Sequence, residues 1–106
     1  MNKDKLEREI AKQYASELRI CLIHIESDET EESVPNTCTL RHLIDMCRQV
    51  ASNANADWSI TKLNRWIGYI QGVMVMRHFS TVDEERIDYD ELKQAVLKNY
   101  QNEQGD

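Results

Sequence analysis

The stretch at 60–77 combines helical periodicity with a wide apolar face. Its apolar residues recur every three or four positions, the spacing that places side chains on one face of an α-helix. Further apolar residues extend that face around the cylinder, and the full set is Leu63, Trp66, Ile67, Ile70, Val73, Met74, Val75 and Met76. A helix that is apolar on most sides is normally covered by its neighbours. The sequence therefore predicts a central helix at about 60–77 with the other segments packed around it.

The rest of the chain also favours helices, because residues that interrupt them are rare. The sequence has one proline and three glycines, too few for a loop-rich or many-turned β fold. Apolar spacing predicts three further helices, at about 3–25, 37–51 and 81–100. A second cap at Asp88, three residues before Glu91, allows the last helix to restart. We predict an all-α fold, a compact bundle of four or five helices in a single domain at 1–106.

Short polar residues mark the predicted helix starts. Either Thr37 or Thr39 can cap the second helix, and either Asp57 or Ser59 can cap the third. Thr81, three residues before a glutamate, opens the fourth helix with a capping box. These signals predict where each helix begins.

Three further segments have a composition that predicts where they lie. Residues 20–23 are apolar on nearly every side, so we expect this end of the first helix to lie deepest in the core. An acidic linker follows at 26–36, where repulsion between carboxylates and the single proline, Pro35, end the helix. The tail at 101–106 is polar and is expected to fray.

Composition restricts the class of protein. Hydrophobic residues make up 41% and charged residues 30%, a globular balance, and no apolar run reaches the roughly 18 residues that span a bilayer. An odd number of cysteines without paired spacing favours a reducing compartment, so we expect a cytoplasmic protein with no membrane association. The net charge of −6 argues against direct binding to nucleic acid.

Two acidic runs are candidate interaction surfaces. Their carboxylates can steer the chain towards a basic protein surface, although ordinary solvated surface is the alternative interpretation. The candidate interaction residues are Glu29, Glu31, Glu32, Asp83, Glu84, Asp88 and Asp90.

Gly68 and Gly72 remove side chains from one helical face at positions one turn apart. Glycine inside a helix costs about 1 kcal/mol relative to alanine, so the pair needs a structural reason. One interpretation is close packing against another helix of the same chain. The other is a notch that admits a ligand or a second copy of the chain in a homodimer.

Two polar residues, Arg65 and Gln71, interrupt the same apolar helix. They either point outward or lie inside, where each must be hydrogen-bonded because a buried unpaired charge is costly. An inward Arg65 needs a carboxylate, for which Asp45 and the acidic run at 83–85 are the candidates.

No set of residues predicts a catalytic centre, a metal site or a cofactor site. Four potential zinc ligands occur at His24, Cys38, His42 and Cys47, but no second close pair completes a four-ligand set. Cys21 and Cys47 lie on apolar stripes and are typical of small buried hydrophobic residues. Nothing in the sequence brings a cysteine next to a histidine for nucleophilic catalysis.

Paired carboxylates leave one enzymatic alternative. Glu26 with Glu29, and Asp88 with Glu91, have a spacing like that of the E-x-x-E and E-x-x-D pairs that hold magnesium in all-helical nucleotide pyrophosphatases. The first pair falls in the predicted linker and the second doubles as a cap, so this remains the second hypothesis.

Three blocks of sequence resemble a known group of proteins. They read H-L-I-D-M-C at 42–47, N-R-W-I-G-Y-I-Q-G-V at 64–73 and T-V-D-E-E-R at 81–86. Together they resemble a family of short proteins from tailed bacteriophages and prophages that has no established activity. The resemblance covers about half of the chain, after residue 39, and implies a phage or prophage origin and expression inside a bacterial host.

The chain departs from that family at two places. Family members tend to have glycine where His78 stands, so the resemblance implies that His78 itself adopts the left-handed conformation that closes the helix. The acidic segment at 88–92 replaces an ending that contains arginine and proline. Together with the small size and acidity, the resemblance predicts a non-enzymatic accessory protein that binds a host or phage protein, one role being inhibition of a host factor or defence system.

Overall fold

The computed structural model describes residues 3–25 and 33–104, which form four α-helices and no strand. The helices are α1 (Lys3–Ile23), α2 (Leu40–Ala51), α3 (Ile60–Met76) and α4 (Val82–Gln104). Short 3₁₀ turns at Asn36–Cys38 and Asn53–Asn55 precede α2 and α3. The predicted all-α bundle is confirmed, with four α-helices in the described residues, the lower of the two numbers that the sequence allowed. α4 is continuous, so the predicted restart at Asp88 is wrong, and the helix continues into the segment that was expected to fray.

Hydroxyl caps begin α2, α3 and α4 where the sequence suggested them. The side chains of Thr39 and Ser59 each accept a 3.1 Å hydrogen bond from a backbone amide three residues later. Thr81 accepts the amide of Glu84 at 3.1 Å in the same way. Each bond satisfies an amide that has no partner within its helix, which stabilises the first turn by about 1 kcal/mol.

His78 ends α3 in the left-handed conformation, with φ of 62°. Its amide donates to the carbonyl of Val75 at 3.0 Å, and the amide of Phe79 donates to the carbonyl of Met74 at 2.8 Å. These two bonds form a Schellman motif, in which the left-handed residue is usually glycine. The conformation predicted for His78 is confirmed.

α1 is the helix that packs against all three of the others. Its buried stripe of Ile10, Ala11, Tyr14, Ala15, Leu18 and Leu22 carries the centre of the core. The guanidinium of Arg8 adds polar links to the loop before α3 by donating to the carbonyls of Ala56 and Trp58. The central position that the sequence suggested for the helix at 60–77 therefore belongs to α1.

α3 is covered on one face and open on the other. Its buried residues are Leu63, Ile67, Ile70, Val73 and Met74. Gly68, Tyr69, Gly72 and Met76 lie on the opposite, exposed face, so the expectation that neighbours cover most of the helix is wrong. The physical reason is that α4 packs mainly against α1, which leaves one side of α3 without a neighbouring helix.

The end of α1 is also more exposed than its composition suggested. Ile20 and Ile23 are each more than half exposed, whereas Leu22 is buried. Ile20 lies opposite the buried stripe at 100° per residue, so a helix packed on one side cannot bury both. The prediction that this end lies deepest in the core is wrong.

The segment before α2 is tied to α3. The hydroxyl of Tyr69 donates to the carbonyl of Thr37 at 2.6 Å, and the guanidinium of Arg77 donates to that of Cys38 at 3.1 Å. Most of the acidic linker expected at 26–36 lies outside the described residues. In the described part of the chain, no helix is both long enough and apolar enough to cross a membrane.

Candidate protein-binding surface

A buried polar network joins α1, α3 and α4. The hydroxyl of Tyr14, a residue only 1% exposed, donates to the Glu85 carboxylate at 2.7 Å. The side-chain amide of Gln71 donates to the Tyr14 oxygen at 3.0 Å. The pKa of Tyr14 is raised, mainly because the phenol is buried and secondly because it donates a hydrogen bond to Glu85. Each member of the network comes from a different helix, so the network fixes the relative positions of the three.

Hydroxyl groups donate to the Glu85 carboxylate, which forms no ion pair with another described residue. It is 6% exposed, and its second oxygen accepts a 3.1 Å hydrogen bond from Ser80. Within residues 3–25 and 33–104, the carboxylates that form ion pairs are those of Asp4, Glu7, Asp45 and Asp83. A carboxylate this deeply buried is normally paired with a cation, so its environment is unusual.

Glu85 lies beside an open groove between α3 and α4. The groove has a volume of about 360 Å³ and is lined by Gln71, Gly72, Val75, Val82, Glu85 and Arg86. Val82 is 66% exposed, and Met76, on the same side of α3, is 62% exposed. The groove thus places exposed apolar side chains next to a buried carboxylate.

The outer face of α4 carries the acidic candidates that the structure describes. Asp83, Glu84, Asp88 and Asp90 are all exposed on this helix. Asp83 pairs with Arg86 across 3.4 Å on the surface, and Ile87 is 53% exposed among the acids. The other three candidates, Glu29, Glu31 and Glu32, lie outside the described residues. Asp83 and Glu84, which are neighbours in sequence of the groove residues Val82 and Glu85, therefore bring the acidic surface of α4 next to the groove.

Neither glycine of α3 packs against the described part of the chain. A methyl group placed at Gly68 or Gly72 would have nothing within 4 Å, and both residues are exposed. Close packing against another helix of the same chain, one of the two interpretations of this pair, is therefore wrong. The homodimer notch stays a prediction.

Arg65 and Gln71, the two polar residues that interrupt the apolar pattern of α3, do not take part in an internal ion pair. Arg65 is exposed, and Asp45 accepts instead from Arg48 at 2.5 Å and Gln49 at 2.7 Å, both on its own helix. The hydrogen bond from Arg48, and to a smaller extent the one from Gln49, hold the pKa of Asp45 below its usual value. The outward position of Arg65 is therefore confirmed, and the Arg65–Asp45 pair considered for an inward Arg65 does not form, because neighbours on α2 satisfy Asp45. Gln71 does face inward, with Tyr14 as its partner.

A second groove, of about 450 Å³, runs between α2 and α3. It is lined by Thr37, His42, Met46, Arg65, Trp66 and Tyr69. The Trp66 ring also packs against Trp58, with centroids 4.6 Å apart, and the ammonium of Lys62 lies 4.0 Å above Trp58. The two tryptophans therefore pack at the rim of the core, as their large area and single polar atom favour.

The cysteines differ in accessibility. Cys47 is buried on α2, and burial raises its pKa to about 12, whereas Cys21 is exposed rather than buried as the sequence suggested. Across the described ranges, no three His, Cys, Asp or Glu residues are grouped to hold a metal ion. Of the magnesium candidates, Glu26 and Glu29 lie outside those ranges, and the α4 pair of Asp88 and Glu91 lines a shallow groove beside Glu17.

Sequence reasoning missed Glu85 as the central residue of the site. A signal for it exists, since Glu85 shares its α4 face with Tyr89, Leu92 and Val96 at helical spacing. An acid on an apolar stripe indicates a buried, hydrogen-bonded carboxylate. Its surface neighbours Asp83 and Glu84 concealed this pattern within a longer acidic run.

Comparison with known proteins gives no relative for this chain. Scans of protein-family models, of curated proteins and of solved structures each found no match.

Proposed function

We propose that this chain is a non-enzymatic accessory protein of a tailed bacteriophage or prophage that binds another protein in the bacterial cytoplasm. The observation that carries the proposal is the adjacency of the α3–α4 groove and the acidic face of α4. Exposed apolar residues bordered by charged ones are typical of protein interfaces. The resemblance of the blocks at 42–47, 64–73 and 81–86 to phage proteins supports the origin.

The acidic face defines the kind of partner. A surface carrying Asp83, Glu84, Asp88 and Asp90 attracts a basic protein surface and accelerates the encounter, while apolar contacts in the groove hold the complex. A host protein whose basic surface serves its own function would lose access to that surface. Inhibition of a host factor or defence system is therefore the role that we propose.

The experiment is affinity capture from bacterial lysate with a photo-crosslinking residue at position 82, inside the groove. We expect one stoichiometric partner, and we expect its recovery to fall at high salt because surface charges are screened. Neutralising Asp83, Glu84, Asp88 and Asp90 together should abolish capture. The matched control neutralises four acids away from the groove, namely Asp4, Glu7, Glu9 and Asp57. Failure to recover a stoichiometric partner, or equal recovery by both variants, contradicts the proposal.

A structural homodimer is the second candidate, favoured by the open space around Gly68 and Gly72. Two exposed helical glycines that contact nothing in the described part of their own chain suit the close approach of a symmetry-related α3. Light scattering at high micromolar concentration tests this function. A dimer that Gly68→Leu disrupts supports it, and a monomer at that concentration excludes it.

A further inference from the structure

We propose that the groove between α3 and α4 receives a lysine or arginine side chain of the protein partner, with the Glu85 carboxylate as its counter-ion. This inference rests on the proposed protein-binding function and names the feature of the partner that the groove recognises. The partner segment carries its basic residue between apolar residues that cover Val82 and Met76.

The Glu85 carboxylate lies almost entirely out of contact with water. Removing a carboxylate from water is costly unless hydrogen bonds and an opposite charge replace the lost hydration. Tyr14 and Ser80 supply hydrogen bonds to the two oxygens, but the ion pairs of the described residues do not include Glu85. A cation entering the groove supplies the missing opposite charge, and low solvent exposure strengthens the attraction.

One cationic residue of the chain itself lies beside the groove. Arg86 lines it, yet the Arg86 guanidinium forms its ion pair with Asp83 at 3.4 Å on the surface. The chain's own arginine thus borders the groove without neutralising the carboxylate. The space next to the Glu85 carboxylate can therefore receive a cation from the partner.

The groove has a shape that suits a long basic side chain. Val75 and Val82 give the groove apolar walls, and Gly72 leaves its mouth without a side chain. Lysine and arginine combine an apolar stem with a charged head, so the stem can contact the valines while the head reaches Glu85. A neutral apolar side chain would fill the same space and leave the carboxylate without a cation.

The test uses n-butylguanidinium as the probe and n-butylurea, its neutral analogue, as the control. Each is titrated into the isotope-labelled full chain while backbone amide signals are recorded. We expect saturable shifts at Val75, Val82 and Glu85 with the cation, and at least about tenfold weaker binding of the urea, a ratio worth about 1.4 kcal/mol. Equal binding of the two compounds, or no binding of the cation, overturns the proposal.

Two pairs of variants locate the cation. Gly72→Leu fills the mouth of the groove and should weaken binding at least about tenfold, whereas Gly68→Leu, one turn away and outside the groove, should not. Glu85→Gln keeps the shape and removes the charge, and Glu91→Gln is its exposed control on the same helix. If circular dichroism shows that Glu85→Gln does not fold, the glycine pair decides. Unchanged binding in Gly72→Leu overturns the proposal.

Failure of this inference is distinguishable from failure of the proposed function. A partner that is captured equally well by the wild type and by Gly72→Leu would leave the protein-binding function intact and remove the groove from it. Conversely, a groove that binds n-butylguanidinium in a chain that captures no protein would support the cation site and contradict the protein-binding function.

Discussion

The hydroxyl of Tyr14 donates a 2.7 Å hydrogen bond to the carboxylate of Glu85, a residue 71 positions further along the chain. Both residues are buried, and the bond joins α1 to α4. It is the polar centre of the contact between these helices, so changes at Tyr14 should report on the stability of the whole bundle.

Tyr14→Phe should lower the free energy of unfolding by about 1–3 kcal/mol, because it leaves a buried carboxylate with one donor fewer. Chemical denaturation followed by circular dichroism measures the change. The matched control is Tyr89→Phe, whose ring packs edge-on against Tyr14 with centroids 5.2 Å apart. We expect a smaller loss there, and equal losses in the two variants would argue against a special role for the Tyr14 hydroxyl.

His78→Gly should stabilise the protein by about 1 kcal/mol. A residue with a Cβ atom pays about 1–2 kcal/mol in the left-handed region, and glycine avoids most of that cost. His78→Val should destabilise it, since a β-branched residue is least compatible with this conformation. Thermal unfolding measures both changes. His24→Gly serves as the control, because His24, unlike His78, does not have a positive φ. Equal stabilisation by both glycines would contradict the prediction.

Gly68→Ala and Gly72→Ala should each stabilise α3 by up to about 1 kcal/mol, since alanine is the better helix former. The added methyl group meets nothing within 4 Å, so no steric cost offsets the gain. Denaturation at low protein concentration separates this effect from self-association. A loss of stability in either variant would mean that an unrecognised contact occupies that face.

The free energy of unfolding should fall as the pH rises from 9.0 towards 12, because burial raises the pKa of Cys47 from 9.0 to about 12. The native state then holds the thiol proton over a range in which the unfolded state has released it, so alkali favours unfolding. Burial acts on Tyr14 in the same direction. Denaturation at a series of pH values measures the trend. A stability that stays level or increases across this range would contradict it.

Alkylation of the thiols at pH 8 gives a separate reading of the same burial. Iodoacetamide should modify Cys21 and Cys38 in the native protein and leave Cys47 unmodified until denaturant is added, because the thiolate is the nucleophile and Cys47 is buried. Peptide mass spectrometry locates the modified residues. Labelling of Cys47 at the rate of Cys21 would show that α2 opens readily in the native state.

Local chemistry made the helices and their starts predictable. The hydroxyls of Thr39, Ser59 and Thr81 act on amides three residues away, so their effect is encoded within one turn of sequence. The left-handed conformation of His78 is likewise a local property of the helix end. Such features need no knowledge of which helices are neighbours.

Which helix lies at the centre of the bundle was harder to predict from the sequence, because it depends on contacts between distant segments. The apolar pattern at 60–77 is stronger than that of α1, yet α1 contacts every other helix and α3 keeps one face open. Periodicity identifies a face that can be buried but not how many neighbours cover it. For the same reason Ile20 was expected in the core and lies exposed.

The candidate site was predictable only in part. The exposed acids of α4 follow from charge alone, whereas the role of Glu85 depends on its meeting Tyr14 from another helix. Arg65 takes the outward position that the sequence allowed, and Asp45, a candidate partner only for an inward Arg65, is satisfied by Arg48 one turn away, a local bond that spacing allows but does not require.

The position of α1 also sets the order in which the molecule can assemble. Its stripe is covered in part by residues of α4 that are synthesised 71 positions after Tyr14, so α1 is made well before its surface can be fully covered. Long sequence separation between contacting residues slows folding, since the intervening chain must be closed into a loop. During synthesis, part of the apolar stripe of α1 therefore stays uncovered until α4 has been made.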